Sequence, residues 1–221
     1  MSAGNSNQHT PLQHLQRQLV IPGAVLEQNS TVADGMQLWL MAVEDPQIKL
    51  DAAQIAGLWQ ALPYWAFAWA GGRALAAYLL KHPQQVAGQR VFDFGCGSGI
   101  VGIAAALAGA SEVWVADLDS NALTAAAENA ALNGVTVHAV DGRNWPEVDV
   151  LLAADVLYDI SSSTDLRELL LQAPQWLLAE TQYVVPDFVD LQQLDHSVNA
   201  TLPAIGDFDE AVDVGIYCRR R

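Results

Sequence analysis

Cysteine is nearly absent: Cys96 and Cys218 are the only two in 221 residues. They supply neither a disulfide framework nor the paired spacing of a thiolate metal site, and a reducing compartment suits them. Basic residues are also scarce. Lys plus Arg number 10 against 25 for Asp plus Glu, a formal charge of −15. Holding a nucleic-acid backbone by counterion release needs a basic surface, so that class of partner is disfavoured. An acidic chain attracts a cationic partner, or is acidic only for solubility. Charged residues make up 16% and hydrophobic ones 52%, which excludes an intrinsically disordered chain. Long apolar runs are missing, because Gly, Gln, Asp or Arg interrupts each stretch, so none reads as a membrane span. The first residues, MSAGNSNQHTPLQHLQRQ, have no basic start followed by an apolar core, so they do not read as a signal peptide. The expectation is a soluble cytoplasmic protein, monomer or dimer, with no membrane and no nucleic-acid partner. The length suits one domain. Residues 1–18 read as a flexible arm, 19–72 as an N-terminal accessory segment, and 73–221 as the core.

What is present is an alternation of strands and helices. Strands are expected at Met36–Val43, Arg90–Phe94, Glu112–Asp117, Val135–Val140, Val148–Ala153, Gln175–Glu180 and Ala211–Arg219. Helices are expected at Gln54–Leu62, from Gly72 to about His82-Pro83, at Ile100–Ala108, at Ser120–Asn133, from Ser163 or Thr164 onward, and at Pro186–Leu194. This order predicts an α/β protein with a mostly parallel sheet covered by helices on both faces.

The run Phe92-Asp93-Phe94-Gly95-Cys96-Gly97-Ser98-Gly99 carries the most information. A strand delivers a loop too rich in glycine for ordinary packing, and the next helix offers free N–H groups to a ligand. Gly97-x-Gly99-x-x-Gly102 matches the dinucleotide fingerprint in letters, but the strand ends two residues too early for it. The bland alternative is a structural turn. Asp117 closes the next strand, where a carboxylate can accept ribose hydroxyls; otherwise it is a solvated strand end. Asp119 reads as the N-cap of helix 120–133. In Asp141-Gly142-Arg143-Asn144-Trp145, either the Asp-Gly is a plain turn and Trp145 caps the core, or Trp145 covers the ring face of a nucleotide ligand beside Asn144. Both readings stand.

A second informative segment ends the strand Val148–Ala153. Apolar residues drive a buried strand to Ala154, then Asp155 and, three residues on, Tyr158. A carboxylate at the mouth of a buried strand has a partner or a task. Upstream, Pro63-Tyr64-Trp65-Ala66-Phe67-Ala68-Trp69-Ala70-Gly71-Gly72 is an aromatic segment. Alternating Trp65, Phe67 and Trp69 also fit a half-buried strand or hydrophobic staple.

From Asp93 through Gly95 and Gly97 to Gly99, the pattern D-x-G-x-G-x-G closely resembles the first motif of class I S-adenosylmethionine-dependent methyltransferases. Asp155 and Tyr158 resemble the D-x-x-Y motif of the seven-strand protein-lysine methyltransferases. The aromatic segment resembles that of the lysine methyltransferases that modify the electron-transfer-flavoprotein β-subunit. These resemblances imply a Rossmann-like three-layer α/β/α sandwich, seven-stranded, with an antiparallel last strand. They imply S-adenosylmethionine as cofactor, held by Trp69, Asp93, Gly95, Cys96, Gly97, Ser98, Gly99, Asp117, Asn144, Trp145 and Ala154. They imply Asp155 and Tyr158 as catalytic residues beside a target lysine, and a protein substrate presenting that lysine. The rivals are a small-molecule N- or O-methyltransferase acting on an amine or similar acceptor, a non-catalytic protein that keeps the nucleotide pocket, and an NAD-dependent oxidoreductase. The scattered histidines show no zinc spacing. No G-x-S-x-G supports a hydrolase. Arg219–Arg221 reads as a solvated tail.

Overall fold

A computed structural model describes residues 10–33, 35–43, 61–140, 144–157, 160–184 and 190–219. The expected helix at Gln54–Leu62 falls mostly outside them, as do Tyr158 and residues 141–143.

The first element among the described residues is α1 (Pro11–Arg17), within the stretch 1–18 that was expected to be a flexible arm. Thr10 and Gln13 form a reciprocal capping box: Thr10 Oγ1 accepts from Gln13 N at 3.3 Å, and Gln13 Oε1 accepts from Thr10 N at 3.1 Å. Leu15 is buried beneath this short helix. Gln16 then braces the next strand, donating to Ala24 O and accepting from Leu26 N. A hairpin follows, β1 (Ala24–Ala33) antiparallel to β2 (Met36–Val43). Strand β2 turns Met36, Leu38 and Leu40 into the main core, each at 2% exposure or less.

Next come α2 (Ala70–Lys81), β3 (Arg90–Phe94), α3 (Ile100–Leu107), β4 (Glu112–Ala116), α4 (Ser120–Leu132), β5 (His138–Ala139), β6 (Val150–Ala154), α5 (Ile160–Gln172), β7 (Gln175–Thr181), β8 (Leu191–Asn199) and β9 (Val212–Arg219). The seven-stranded sheet has the order β5-β4-β3-β6-β7-β9-β8. All pairs from β5 to β7 are parallel, while β9 runs antiparallel between β7 and β8. This is the expected sandwich with its antiparallel last strand. One face of the sheet joins α2, α3 and α4 in a core that includes Leu75, Leu79, Ile103, Val113 and Leu152. The other packs Phe92, Phe94, Leu151 and Leu178 against Leu166, Leu169 and Leu170 of α5. Burying a side chain of this size stabilises the fold by about 1.5–3 kcal/mol.

Three local expectations change. Pro186–Leu194 was expected to be helical; instead Leu191–Asn199 is a strand. Its register on β9 shifts between Gln193 and Asp195. Leu191 and Leu194, three positions apart, are partly buried against the cores on opposite faces of the sheet, and apolar residues at this interval imitate a helical period. The fifth helix starts at Ile160, placing Ser161–Ser163 inside it rather than before it. The edge strand near residue 138 is only His138–Ala139. Between it and β6, among the described residues, no helix covers the sheet, and Trp145 lies there instead. Its ring centroid is 5.5 Å from Phe92 and 5.8 Å from Phe94.

The long loop between β8 and β9 reaches back to the aromatic segment. Ala68 N donates to Leu202 O at 2.7 Å, and Leu202 N donates to Ala68 O at 2.9 Å. Arg73 Nη1 donates to Ala200 O at 2.6 Å.

Candidate active site

The glycine loop sits at the carboxyl end of β3, where open α/β sheets bind ligands. Gly95, Gly97 and Gly99 all have positive φ, at 73°, 51° and 82°. The loop is stitched to its surroundings by backbone groups. Gly95 N and Cys96 N both donate to Ala116 O, and Gly99 N donates to Cys96 O. A Cβ on Gly99 would lie 2.8 Å from the Ala126 backbone, so α4 closes against this position. A Cβ on Gly97 would meet nothing within 4 Å, so the loop is open there. Cys96 and Ser98 are buried, with Cys96 lining the core. Burial raises the Cys96 thiol well above its ordinary pKa, so it stays protonated.

Asp93 lies beneath this loop at 1% exposure. Its Oδ2 accepts from Gly102 N at 2.8 Å, in the first turn of α3. Burial raises its pKa to about 7, against the opposing effect of that hydrogen bond. Asp93 therefore fixes the helix under the loop rather than standing open to a ligand. Asp117 is half-buried just past β4. Its Oδ2 accepts from Gly97 N at 2.9 Å and its Oδ1 from Asp119 N at 3.0 Å. A carboxylate has about four acceptor positions, so lone pairs remain for hydroxyl donors. Asp119 caps α4 by accepting from Asn121 N, as its position predicts.

Asp155 stands one residue beyond β6, in the left-handed region at φ 53°. Its carboxylate reaches the first turn of α2, where Oδ2 accepts from Gly72 N at 2.9 Å. Trp69 is the N-cap residue of that helix, and its own side chain does not cap it. Burial raises the pKa of Asp155 to about 6, opposed by the Gly72 and Gly71 amides and reinforced by Asp209. Trp69 stacks on Tyr64 with centroids 5.5 Å apart and donates its indole N–H to Tyr64 O. The carboxylate and the aromatic cluster thus meet at one helix terminus. Ala154 pairs with Ala179 in the sheet immediately before this turn.

Trp145 and Asn144 separate from this group. Asn144 is exposed, and Trp145 packs on the Phe92–Phe94 face, which matches the core-capping alternative rather than an adenine cover. Three residues went unnoticed in the sequence. Asn129, fully buried, donates to Ser98 O at 2.8 Å and accepts from Trp39 N at 2.7 Å, tying the loop to β2. Glu180, 2% exposed, accepts from Val156 N and Leu157 N. Asp209 is buried, leaves Oδ2 without a hydrogen bond, and has a raised pKa, chiefly from burial. Among the described residues, no group of three or more His, Cys, Asp or Glu is arranged to hold a metal.

Known proteins are similar to this chain in sequence and in fold. Residues 74–167 match the family of ribosomal protein L11 methyltransferase (PrmA). The electron transfer flavoprotein beta subunit lysine methyltransferase of Danio rerio is 36% identical over 157 residues, covering 66% of this chain and 58% of that protein. In sequence the chain is thus similar to known methyltransferases. A ribosomal protein L11 methyltransferase of Dichelobacter nodosus is 37% identical over 123 residues, 56% of this chain and 41% of that one. The chain thus spans less than two thirds of these relatives. Among solved structures, a Pyrococcus horikoshii protein assigned as an RNA methyltransferase superposes with a TM-score of 0.55 at 16% identity. That match covers 68% of this chain and 82% of that one. No helix among the described residues is long and apolar enough to cross a membrane.

Proposed function

We propose that this chain is an S-adenosylmethionine-dependent protein-lysine N-methyltransferase. The observation that carries the reading is the placement of the Asp155 carboxylate in the first turn of α2, the helix whose N-cap residue is Trp69 of the Trp69–Tyr64 stack. The relatives named as lysine methyltransferases support the acceptor type.

The loop fits such a cofactor because its glycines leave the backbone bare and Gly97 faces open space. Gly95, Cys96, Gly97, Ser98 and Gly99 would hold its amino-acid part, Asp117 its ribose hydroxyls, and Trp69 would pack nearby. Asp93 acts from below, by fixing Gly102 and so the start of α3. When bound, the cofactor supplies an activated methyl on a sulfonium.

The residues of the chain must then deliver an uncharged amine in line with it, and positioning of this kind accounts for most of the rate. A lysine ε-amine has a pKa of about 10.4 and arrives protonated. Asp155, with a pKa of about 6, is mostly ionised at pH 7 and attracts the ammonium. Its bonds to α2 hold it in place while it does so. Desolvation of the bound amine beside Trp69 would then favour loss of the proton, to water or through Asp155. Tyr158 would line the lysine channel or donate to Asp155. The chain acts as a monomer or dimer in the cytoplasm, whose reducing conditions suit the thiols of Cys96 and Cys218.

The test combines calorimetry and radiolabelled-methyl transfer to lysate proteins. Micromolar affinity for S-adenosylmethionine, a labelled protein band, and at least a tenfold loss of label in Asp155→Asn with cofactor affinity retained are expected. No binding of the cofactor, or label confined to small molecules, would overturn the reading.

A further inference from the structure

Glu180 is the most buried carboxylate of the site that the mechanism above does not use. It lies near the end of β7, pairs with Gly215 of β9, and is 2% exposed. Its Oε1 accepts two hydrogen bonds, from Val156 N at 2.9 Å and Leu157 N at 3.0 Å. These amides directly follow Asp155. The amide of Asp155 itself donates to Ala179 O, the residue before Glu180. The turn that carries Asp155 is therefore gripped at three successive amides by two successive residues of β7.

That grip answers a cost. Asp155 has φ 53°, and a non-glycine residue in that region is held there only when its surroundings over-determine it. In return, the turn sends the Asp155 carboxylate to Gly72 N instead of along the strand. We propose that Glu180 is a positioning residue for methyl transfer: by accepting from Val156 N and Leu157 N, it sets the turn that presents the Asp155 carboxylate to the acceptor amine. The inference rests on the lysine reading for its function, but its geometric half stands alone.

The neighbours of Glu180 specify how it would behave with pH. Asp155 faces it from the end of β6, and Tyr217 from β9, where its hydroxyl lies over the bare Gly215. Asp209 acts on Asp155 from the β8–β9 loop. Burial, and then the Asp155 charge, raise the pKa of Glu180 to about 8. At pH 7 it is mostly neutral, so glutamine is its nearest mimic and leucine removes the acceptor altogether.

The experiment uses the full chain as wild type, Glu180→Gln and Glu180→Leu. Amide chemical shifts of Gly72, Val156 and Leu157 are followed by NMR from pH 5 to 9, alongside cofactor affinity and the rate of methyl transfer against pH. In the wild type the Gly72 amide should titrate near pH 6 with Asp155, and the Val156 and Leu157 amides near pH 8. Glu180→Gln should abolish the second titration and keep the first. Glu180→Leu should shift the Gly72 amide away from its carboxylate-bound position and lower kcat at least tenfold. Cofactor affinity should stay within about twofold, and Glu180→Gln should recover most of the lost rate at pH 7. An unchanged Gly72 amide in Glu180→Leu would overturn the positioning role, even in a protein that methylates no lysine. So would a Val156 titration that persists in Glu180→Gln. A wild type that shows both titrations yet transfers no methyl to protein would instead count against the lysine reading alone.

Discussion

The carboxylate of Asp155 occupies the space that a side chain on Gly71 would need. A Cβ built there lies 2.5 Å from Oδ1, 2.6 Å from Oδ2 and 2.7 Å from Cγ. Gly71 sits in the first turn of α2, where alanine would ordinarily favour the helix by up to about 1 kcal/mol. Gly71→Ala should therefore leave thermal stability nearly unchanged while it displaces Asp155. Methyl transfer should fall at least tenfold with cofactor affinity retained.

Gly99→Ala should behave in the opposite way. Its φ of 82° is unsuited to alanine, and the new Cβ would lie 2.8 Å from the backbone of Ala126, which cannot swing aside. A loss of about 2 kcal/mol in stability is expected from strain and overpacking together. Cofactor affinity should fall with it. Denaturant unfolding and calorimetry separate the two variants, and similar profiles for both would refute the distinction between an acceptor-side and a cofactor-side glycine.

The buried acids predict the pH dependence of stability. Asp93 has a pKa of about 7, Asp155 about 6 and Glu180 about 8, each raised first of all by burial. An acid whose folded pKa lies above its unfolded value binds protons more tightly in the folded state. Its stabilisation is complete below about pH 4 and is lost as pH rises through the folded pKa. The loss is at most about 1.4 kcal/mol for each tenfold difference in proton affinity between the folded and unfolded states. The ligand-free protein should therefore melt several degrees lower at pH 8.5 than at pH 5. Asp93→Asn can still accept from Gly102 N and cannot ionise, so it should flatten the slope. A Tm that climbs from pH 5 to 8.5 would contradict the assignment.

Trp145 offers a fourth test. It packs on Phe92 and Phe94 where no described helix covers the sheet. Trp145→Ala should cost about 3 kcal/mol and leave the affinity for S-adenosylmethionine within twofold. A tenfold weaker affinity with little change in stability would restore the adenine-covering alternative.

What the sequence made legible follows from distance along the chain. Asp93 and the Asp119 cap have partners inside one strand–turn–helix unit, and the glycine loop is spelled by adjacent letters even though Ala116, Asp117 and Asn129 brace it from elsewhere, so their chemistry can be read locally. Glu180 closes an apolar run, QWLLAET, and looks like any strand end. Its partners, Val156 and Leu157, come near only through parallel pairing of β6 with β7. Asn129 hides in an alanine-rich helix, and its partner Trp39 is 90 positions away. Strand β8 escapes a periodicity reading because Leu191 and Leu194, buried on opposite faces of the sheet, stand at a helical interval. Local chemistry was readable, whereas contacts made by sheet topology were not.

The paired backbone bonds between Ala68 and Leu202, with Arg73 on Ala200, have an implication for transplantation. Two stretches far apart in sequence behave as one interchangeable part. A chimaera that takes residues 61–73 from a relative but keeps its own residues 200–211 would mate strangers across that seam. Specificity should pass between such proteins only when both stretches travel together.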